Sequence, residues 1–290
     1  MAGAERVLTP ILLSPSSKDV NPKLVVMLPA DASAGIVQRQ SMLQTISLLV
    51  IFVSAPIVFA LLFFITAPYG RHFRGGWGPS IAARAGWMVM EAPALLVIGI
   101  IVLSSGQELG ILTIVLLGLW EIHYLYRTCL FPLLMRESSK RFPLLLVAFA
   151  FIFNSLNGYA NGMFLATPGL VIAGGLIPDL RVAVGVALFA GGFLTHVWAD
   201  RDLRRLRKPG EMGYKVPRGG LWEYVSSPNY FGEITEWCGW ALATWSLPGL
   251  AFALFTIANL VPRAWANRRW YLETFDDYPR DRKSVIPFVF

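Results

Sequence analysis

Residues 109–134 read LGILTIVLLGLWEIHYLYRTCLFPLL, an apolar run long enough for one helix to cross a lipid bilayer. A hydrocarbon core of about 30 Å requires roughly 20 apolar residues in an α-helix. A shorter apolar run, 230–246, carries two carboxyl groups. The remaining apolar segments of spanning length are 45–66, 85–104, 143–165, 181–199 and 249–266. The sequence therefore predicts an all-α integral membrane protein with seven transmembrane helices.

The composition of the 290 residues supports a membrane protein. The chain is 55% hydrophobic and 15% charged, whereas soluble domains carry roughly 25% charged residues. Too little polar sequence remains to cover a soluble core of this size. The hydrophobicity also excludes intrinsic disorder, and two cysteines are too few for a disulfide scaffold. We expect Cys129 and Cys238, which lie within apolar segments, to be packing residues.

Basic residues are concentrated in alternate loops of the predicted bundle. Lys and Arg occur in the first, third and fifth loops and in the C-terminal tail, whereas the loops between them carry none. Cytoplasmic loops are enriched in Lys and Arg, so we predict an external N-terminus and a cytoplasmic C-terminus. The same rule explains the net charge of +7 without a nucleic-acid partner.

The chain is divided into an N-terminal extramembrane arm, residues 1–40, and a helical domain, residues 41–290. The arm contains Pro and Ser but lacks the apolar core of a signal peptide. The segment 169–178, GLVIAGGLIP, is too short to cross a bilayer and is predicted to form a turn or a re-entrant piece. We find no internal repeat, which argues against an inverted-repeat transporter.

Polar side chains inside the second and third spans are candidates for a functional site, because charged groups within a span usually face a cavity or a partner. Glu91 lies about 10 Å, and Tyr124 roughly 15 Å, from the inner ends of their spans at 1.5 Å per residue. The two side chains can therefore meet at similar depth. Arg127 lies one turn from Tyr124 on the same helix face. The alternative is a structural pair of Glu91 with Arg127 or His123.

The histidines predict no metal site. His72, His123 and His196 are scattered in the sequence, and none is part of an HxxH or ExxH pattern. For His123 a structural role is favoured over a catalytic one.

The fifth loop, DRDLRRLRKPGEMGYKVPRGGLWEYVSSPNYFGEITEW from residue 200, is unusually rich in Arg, Gly, Pro and aromatic residues. Guanidinium groups, turn amides and aromatic faces suit an anionic, aromatic ligand such as a dinucleotide. Asn229 and Glu233 lie one turn apart at the mouth of the bundle. No GxGxxG follows a strand, which excludes a Rossmann domain. The alternative is positive-inside charge that contacts lipid headgroups. Tyr271, further along the chain, either covers this mouth or anchors the tail at the interface.

Two stretches, 206–255 (LRKPGEMGYKVPRGG to ALATWSLPGLAFALF) and 275–290 (FDDYPRDRKSVIPFVF), resemble the C-terminal half of the steroid 5α-reductases, or 3-oxo-5α-steroid 4-dehydrogenases. The resemblance is nearly continuous from about 200 to 290. Upstream, MEAP at 90–93 and IHYLYRT at 122–128 are similar to the family's active-site segments.

The resemblance implies that residues 41–290 form a seven-helix membrane enzyme that uses NADPH to reduce the Δ4 double bond of a lipophilic 3-oxo-Δ4-steroid. Hydride would be added at C5, and Glu91 and Tyr124 would hold the 3-carbonyl as catalytic residues. We expect a monomer in the endoplasmic reticulum membrane of a eukaryote or the cytoplasmic membrane of a bacterium. The resemblance assigns cofactor binding to Arg127, Asp200, Arg207, Tyr214, Asn229, Glu233 and Tyr271.

Three departures from the family pattern affect substrate preference and cofactor contacts. Met90 replaces a Gln before the active-site Glu, His196 replaces an Asn, and AlaAsnArgArg at 266–269 replaces a His-rich run.

Other functions remain open at this point. A membrane S-adenosylmethionine-dependent methyltransferase of the isoprenylcysteine type has a similar architecture and an element like ProAsnTyrPheGly at 228–232. That cofactor has no phosphates, however, so the arginines of the fifth loop would have no role. A sterol C=C reductase is a second enzyme alternative. A steroid or lipid transporter would explain a cavity but not the fifth loop.

Overall fold

The computed structural model describes residues 30–135, 141–167, 180–206, 211 and 213–290. The predicted re-entrant segment 169–178, residue Arg207 and the first 29 residues of the predicted arm lie outside this part of the chain. The chain divides into two units, Met1–Ile46 and Ser47–Phe290. The described residues of the first unit, 30–46, are helical. Every other described helix and strand begins in the second unit.

The described residues fold almost entirely into helices. A π-helical segment, Tyr126–Leu130, joins α3 to α4, so that residues Ile111–Leu134 form one continuous helix. The α-helices are α1 (Ala30–Phe64), α2 (Ala83–Ser104), α3 (Ile111–Leu125), α4 (Phe131–Leu134), α5 (Leu144–Leu165), α6 (Leu180–Arg205), α7 (Pro228–Thr244) and α8 (Leu247–Thr274). Short 3₁₀ turns occupy Gly70–His72 and Gly220–Glu223.

One small sheet closes the predicted cytoplasmic side of the bundle. Strand β1 (Ser80–Ala82) pairs antiparallel with β2 (Arg141–Pro143). The Arg141 side chain donates to the Ser80 hydroxyl at 2.8 Å and also to the Ser80 carbonyl. The sheet thereby joins the first loop to the third and fixes the entries of α2 and α5.

The structure confirms the helical membrane class. In the described part of the chain, six helices are long and apolar enough to cross a bilayer: Gln40–Phe64, Ala83–Ser104, Ile111–Leu134, Leu144–Leu165, Leu180–Arg205 and Leu247–Thr274. Helix α7 has 17 residues and is about 26 Å long at 1.5 Å per residue. Its crossing, and with it the count of seven, stays a prediction.

Three helix ends differ by more than two residues from the hydropathy-based bounds. Helix α6 continues to Arg205, six residues past the predicted end at 199, so Asp200 lies on a helix and not in the fifth loop. Helix α1 begins at Ala30, so the end of the predicted arm, residues 1–40, is helical. Helix α8 continues to Thr274, eight residues past the predicted end at 266. Neither Gly nor Pro interrupts the chain between Pro262 and Thr274, and polar residues continue the helix beyond its apolar part. Tyr271 therefore lies on a helix and not in an extended tail.

Glycines set the closest helix contact, between α6 and α7. A Cβ at Gly232 would lie 2.5 Å from the backbone nitrogen of His196, and a Cβ at Gly239 would lie 2.5 Å from that of Phe189. Gly185 and Gly192 of α6 face α7 with equally little space. Small residues at such positions let helix backbones approach closely. The contact brings the polar side chains of α6 and α7 together.

The interior is an aromatic core. Trp120 of α3, Trp237 and Trp240 of α7 and Phe252 of α8 are buried in one cluster. Two of these indole groups also donate hydrogen bonds. Trp120 Nε1 donates to the Ala94 carbonyl at 2.8 Å, and Trp240 Nε1 donates to Asn161 Oδ1 at 2.9 Å. Because buried indole nitrogens need acceptors, these bonds fix α3 against α2 and α7 against α5.

Candidate functional site

Glu91 lies on α2 at the centre of a polar contact among three helices. Its carboxylate accepts a hydrogen bond from Asn154 Nδ2 of α5 at 3.1 Å, and the same amide donates to the Met90 carbonyl at 2.7 Å. Arg127 Nη2 lies 3.7 Å from Glu91 Oε1, and both side chains are 12% exposed. The structural pairing considered from the sequence, Glu91 with Arg127, is therefore present.

The π-helical segment determines where Arg127 lies. π-bulges inside α-helices frequently occur at functional sites, and here the extra residue follows directly after Leu125. The Arg127 guanidinium lies over the rings of Trp87 at 4.6 Å and Phe131 at 5.0 Å. This cation–π packing holds a partly buried charge between the helices.

Tyr124 lies deep in the aromatic core and within electrostatic range of Glu91. Its ring centroid is 5.0 Å from that of Trp120 and 5.8 Å from that of Trp237. The side chain is 3% exposed, and the Glu91 and Glu233 carboxyl groups act on it electrostatically. The phenol and the carboxyl group therefore lie within electrostatic range of each other, and their joint role as catalytic residues stays a prediction.

A second polar cluster, which we call the histidine cluster, consists of His123, His196, Glu236 and Asp200. His123 Nδ1 lies 2.7 Å from Glu236 Oε1, and His196 Nδ1 lies 3.7 Å from Glu236 Oε2. His196 Nε2 lies 3.3 Å from Asp200 Oδ2. All four residues are buried. The sequence interpretation of the histidines as scattered is wrong for this pair, because the glycine contacts of α6 with α7 bring His196 beside Glu236.

One pair of the histidine cluster lies at hydrogen-bond distance, closer than two ligands of one ion would lie. Three donor atoms, on His123, His196 and Glu236, lie within 4.8 Å of one another. Two ligand atoms on one tetrahedral zinc ion at about 2.1 Å would lie about 3.4 Å apart, whereas His123 Nδ1 and Glu236 Oε1 are 2.7 Å apart. That distance is a hydrogen bond, and we do not interpret these residues as metal ligands.

Asp200 links the histidine cluster to the base of a cleft. Asn229 Nδ2 donates to Asp200 Oδ1 at 3.2 Å, and Tyr126 Oη donates to Asp200 Oδ2 at 3.4 Å. Arg204 Nη1 in turn donates to the Tyr126 hydroxyl at 3.3 Å. Glu233 lies at the edge of this arrangement, with Oε2 4.0 Å from His196 Nε2.

The cleft has a volume of about 290 Å³ and opens between the first loop, the fifth loop and α8. Its lining includes the three predicted residues Tyr214, Asn229 and Tyr271. It also includes three basic residues of the first loop and α8 that the sequence interpretation did not assign to a site: Arg71, His72 and Arg263.

Arg71 is enclosed by three aromatic rings, of which Tyr214 and Tyr271 line the cleft. Its guanidinium lies over the rings of Tyr271 at 4.6 Å, Trp270 at 4.8 Å and Tyr214 at 5.4 Å. The positive-inside rule explains the basic residues of the first loop, 67–84, without a site. The sequence therefore did not predict that Arg71 lines the cleft. The signal available in the sequence was its place between Gly70 and His72.

His72 is the titratable histidine of the cleft. Its Nε2 donates to Asn267 Oδ1 at 3.1 Å, and Asn267 Nδ2 donates to the Ser227 hydroxyl at 3.3 Å. Burial lowers the pKa of His72, and nearby guanidinium groups, including Arg71, lower it further against the opposing effect of the Asn267 hydrogen bond. Asn267, one of the departures from the family pattern, therefore has a defined place in the cleft wall.

Of the nine predicted site residues, eight lie in the described part of the chain, and Arg207 lies outside it. The structure groups Glu91, Tyr124 and Arg127 within the bundle. It places Asp200, Asn229 and Glu233 where the bundle meets the cleft, and Tyr214 and Tyr271 in the cleft wall. Sequence reasoning noted Glu236 only as a charge within a span, and its place three residues after Glu233 was the signal that it faces the interior.

The fold and these two polar regions define a helical membrane protein with an enclosed phenol–carboxyl site beside a basic, aromatic cleft. Residues 140–290 match the family model described as 3-oxo-5-alpha-steroid 4-dehydrogenase. The chain belongs to this family, the steroid 5-alpha-reductases, and is an oxidoreductase that acts on a CH–CH bond.

The similarity extends over most of the chain. Steroid 5-alpha-reductase DET2 of Gossypium hirsutum is 42% identical over 247 residues, which cover 84% of this chain and 96% of that protein. The 3-oxo-5-alpha-steroid 4-dehydrogenase 1 of Bos taurus is 43% identical, covering 80% and 91% of the two chains. The human protein of the same name is 43% identical, covering 77% and 86%.

Proposed function

We propose that this protein uses NADPH to reduce the Δ4 double bond of 3-oxo-Δ4-steroids to the 5α-dihydro product. The observation that carries the proposal is the enclosed pair of Glu91 and Tyr124 close to a basic, aromatic cleft. The names of the related proteins supply the reaction class. The geometry supplies the residues that would perform it here.

Glu91 and Tyr124 polarise the 3-carbonyl of the steroid. Addition of hydride to the β-carbon of an enone moves negative charge onto the carbonyl oxygen, and donors aimed at that oxygen lower the barrier. A phenol and a carboxyl group in its acid form are suitable donors in a site from which water is excluded. The Arg127–Glu91 distance of 3.7 Å exceeds hydrogen-bond length, so the carboxyl group remains available to the ketone.

The cleft carries the charges and aromatic faces that suit a dinucleotide phosphate. Arg71, Lys215 and Arg263 line it and can pair with phosphate groups. Tyr271 and Tyr214 offer aromatic faces, and Asn229 offers a side-chain amide at the end nearest the bundle. When bound, NADPH supplies the hydride for the double bond. Arg127, Asp200 and Glu233 orient the end of the cofactor nearest the steroid, and Arg207 contributes a further cation.

The membrane arrangement delivers the two substrates from different sides. We propose that α7 also crosses the bilayer, giving seven spans with the N-terminus outside and the C-terminus in the cytoplasm. The basic cleft then faces the cytoplasm, from which the charged cofactor enters. The lipophilic steroid enters laterally from the bilayer and reaches Glu91 and Tyr124 within the bundle of a monomer.

The test is an assay of the purified full-length protein in detergent or nanodiscs. With NADPH and testosterone or progesterone, the expected result is stoichiometric consumption of NADPH and formation of the 5α-dihydro-steroid. S-adenosylmethionine serves as the competing cofactor in a parallel binding measurement. Tight binding of S-adenosylmethionine with no turnover of NADPH on any 3-oxo-Δ4-steroid would contradict the proposal.

A further inference from the structure

Residues 286–290, which we call the C-terminal turn, expose apolar side chains outside the candidate spans. Phe288 is 77% exposed and Val289 is 72% exposed, the highest values among the large apolar side chains that the structure describes outside the six spans. The Phe288 ring contacts that of Tyr224, which is itself exposed, at 5.2 Å. An exposed apolar patch of this kind marks a surface that contacts a membrane or another protein.

Backbone hydrogen bonds hold the C-terminal turn in one conformation. The Phe290 amide donates to the Ile286 carbonyl at 3.1 Å, and the Ile286 amide donates to the Phe290 backbone oxygen at 2.7 Å. Phe288 lies between them at a φ of +65°, a left-handed conformation that costs free energy for a bulky side chain. The turn therefore keeps an aromatic ring exposed in a strained backbone, and burial of that ring in an apolar environment would offset the strain.

The segment before the turn runs back along α8 in the direction of the bilayer. The Tyr278 ring stacks on that of Tyr271 at 4.9 Å, and four residues later the Arg282 carbonyl accepts a hydrogen bond from Arg268 Nε at 2.5 Å. The contacted position on α8 therefore moves back by about one helical turn, toward the apolar run 249–266. The residues that follow lie near the level at which α8 becomes apolar.

A second helix places the turn at a similar level. The Lys283 amide donates to the Tyr224 carbonyl at 2.9 Å, and the Lys283 carbonyl accepts from the Ser226 amide at 2.8 Å. Helix α7 begins at Pro228, so Ser226 lies at most about 7 Å from the first residue of this helix. The C-terminal turn starts three residues after Lys283 and is therefore tied to the start of α7 as well as to α8.

We propose that the C-terminal turn is an interfacial anchor, with Phe288 and Val289 inserted into the surface of the bilayer on the side where α8 ends. The occupant of the apolar patch is the lipid of the membrane that the bundle spans, because the turn lies where α7 begins and where the apolar part of α8 ends. Aromatic side chains are enriched at this boundary between membrane and water. The anchor does not depend on the proposed reaction.

The anchor is connected to the wall of the cleft. Ser226, which is bonded to Lys283, lines the cleft together with Trp222. The buried Arg282 side chain donates to the Pro217 carbonyl of the fifth loop at 3.0 Å. Insertion of the turn into lipid therefore fixes this end of the fifth loop, and with it one wall of the cleft, at a defined height above the bilayer.

Site-directed spin labelling of the full-length protein, with one copy in each nanodisc, tests the anchor. With Cys129 and Cys238 replaced by Ala, a nitroxide is attached at Val289→Cys, which retains Phe288. Asp276→Cys, an exposed position after α8, is the matched control. We expect the label at position 289 to collide more often with oxygen, which concentrates in lipid, and less often with a water-soluble nickel chelate. Equal access of the chelate to both positions would overturn the proposal.

Two substitutions at Phe288 distinguish insertion into lipid from burial against protein. In the labelled Val289→Cys protein, we expect Phe288→Glu to abolish protection from the nickel chelate, because a charged side chain is unfavourable in the apolar part of a bilayer. Phe288→Leu should retain the protection. Protection that persists in Phe288→Glu would contradict the proposal, as would protection seen only in nanodiscs that hold two copies, which would assign the patch to a contact between copies.

Discussion

At the scale of single residues, Glu91 and Tyr124 matter because they come from different helices and interact electrostatically inside the bundle. Glu91 is held by Asn154 of α5, and Tyr124 is packed between Trp120 and Trp237. Neither side chain can turn far without disrupting this packing. Preorganised donors of this kind need little rearrangement during the reaction.

Tyr124→Phe and Glu91→Gln should each lower turnover about 100-fold, the usual effect of removing one donor that stabilises a developing oxyanion. Both variants should bind NADPH with near-native affinity, because the substituted groups face the steroid. The measurement is steady-state kinetics together with cofactor titration. Tyr224→Phe, an exposed tyrosine outside the site, should behave like the unsubstituted protein. Near-native turnover in Tyr124→Phe or Glu91→Gln would remove that residue from the carbonyl site.

His72 gives the cleft a pH dependence. Its pKa is lowered by burial, so the ring is neutral at pH 7 in the unliganded protein. A bound phosphate favours the charged ring and raises the pKa, so binding takes up a proton and becomes tighter as the pH falls. We expect the NADPH affinity of the unsubstituted protein to rise relative to that of His72→Gln between pH 7.5 and 6, by at most about 10-fold per pH unit.

Comparison with His72→Gln is needed because the cofactor's own phosphate, with a second pKa near 6, titrates in the same range. The difference between the two affinity profiles isolates the imidazole. Parallel profiles for the two proteins would show that His72 does not contact the phosphates.

At the scale of helices, the α6–α7 contact is the element that assembles the histidine cluster. Gly192 and Gly232 remove the side chains that would separate His196 from Glu236. Adjacent glycines on α6 provide a matched comparison, because Gly191 has open space where a Cβ would lie, whereas a Cβ at Gly192 would lie 2.6 Å from the Gly232 carbonyl oxygen.

Gly192→Ala should destabilise the protein by about 1–3 kcal/mol, because the added methyl group overpacks the helix contact. Gly191→Ala should be neutral or slightly stabilising, since alanine favours a helix over glycine. Thermal unfolding in one detergent measures both variants. Equal melting temperatures for the two would mean that α6 and α7 are not in close contact at Gly192.

Hydropathy predicted the spans because length and apolar content are local properties of the sequence. It also placed Glu91 and Tyr124 at similar depth, since rise per residue converts position into height. It could not place His196 beside Glu236 and His123, because the faces that meet are set by glycine contacts between separate helices. Arg71 and His72 were missed for a different reason. The positive-inside rule already explains basic residues in a cytoplasmic loop, so their charge alone did not mark these two as residues of the cleft.

At the scale of the whole molecule, the topology depends on α7, whose 17 residues are short for a 30 Å core. If α7 crosses, the second loop and the segment after α8 lie on opposite sides of the membrane. If it does not, they lie on the same side. Because Tyr271 near the end of α8 lines the cleft, the cleft and the C-terminal segment share one side, and the seven-span arrangement predicts that this side is the cytoplasm.

Cysteine labelling distinguishes the two arrangements. With Cys129 and Cys238 replaced by Ala, Gln107→Cys in the second loop and Asp276→Cys after α8 are both exposed positions. A thiol reagent that cannot cross membranes should label only Gln107→Cys from outside and Asp276→Cys only after permeabilisation. Labelling of both positions from the same side would contradict the seven-span arrangement.

In the proposed reaction, a hydride passes from the nicotinamide of NADPH to a steroid held by Glu91 and Tyr124. NADPH deuterated at the transferable position, supplied with a 3-oxo-Δ4-steroid, tests this most directly when the product is analysed by mass spectrometry and NMR. We predict one deuterium at C5 of the 5α-dihydro-steroid and a solvent-derived hydrogen at C4. Deuterium at C4, or no transfer of label to the steroid, would contradict the account.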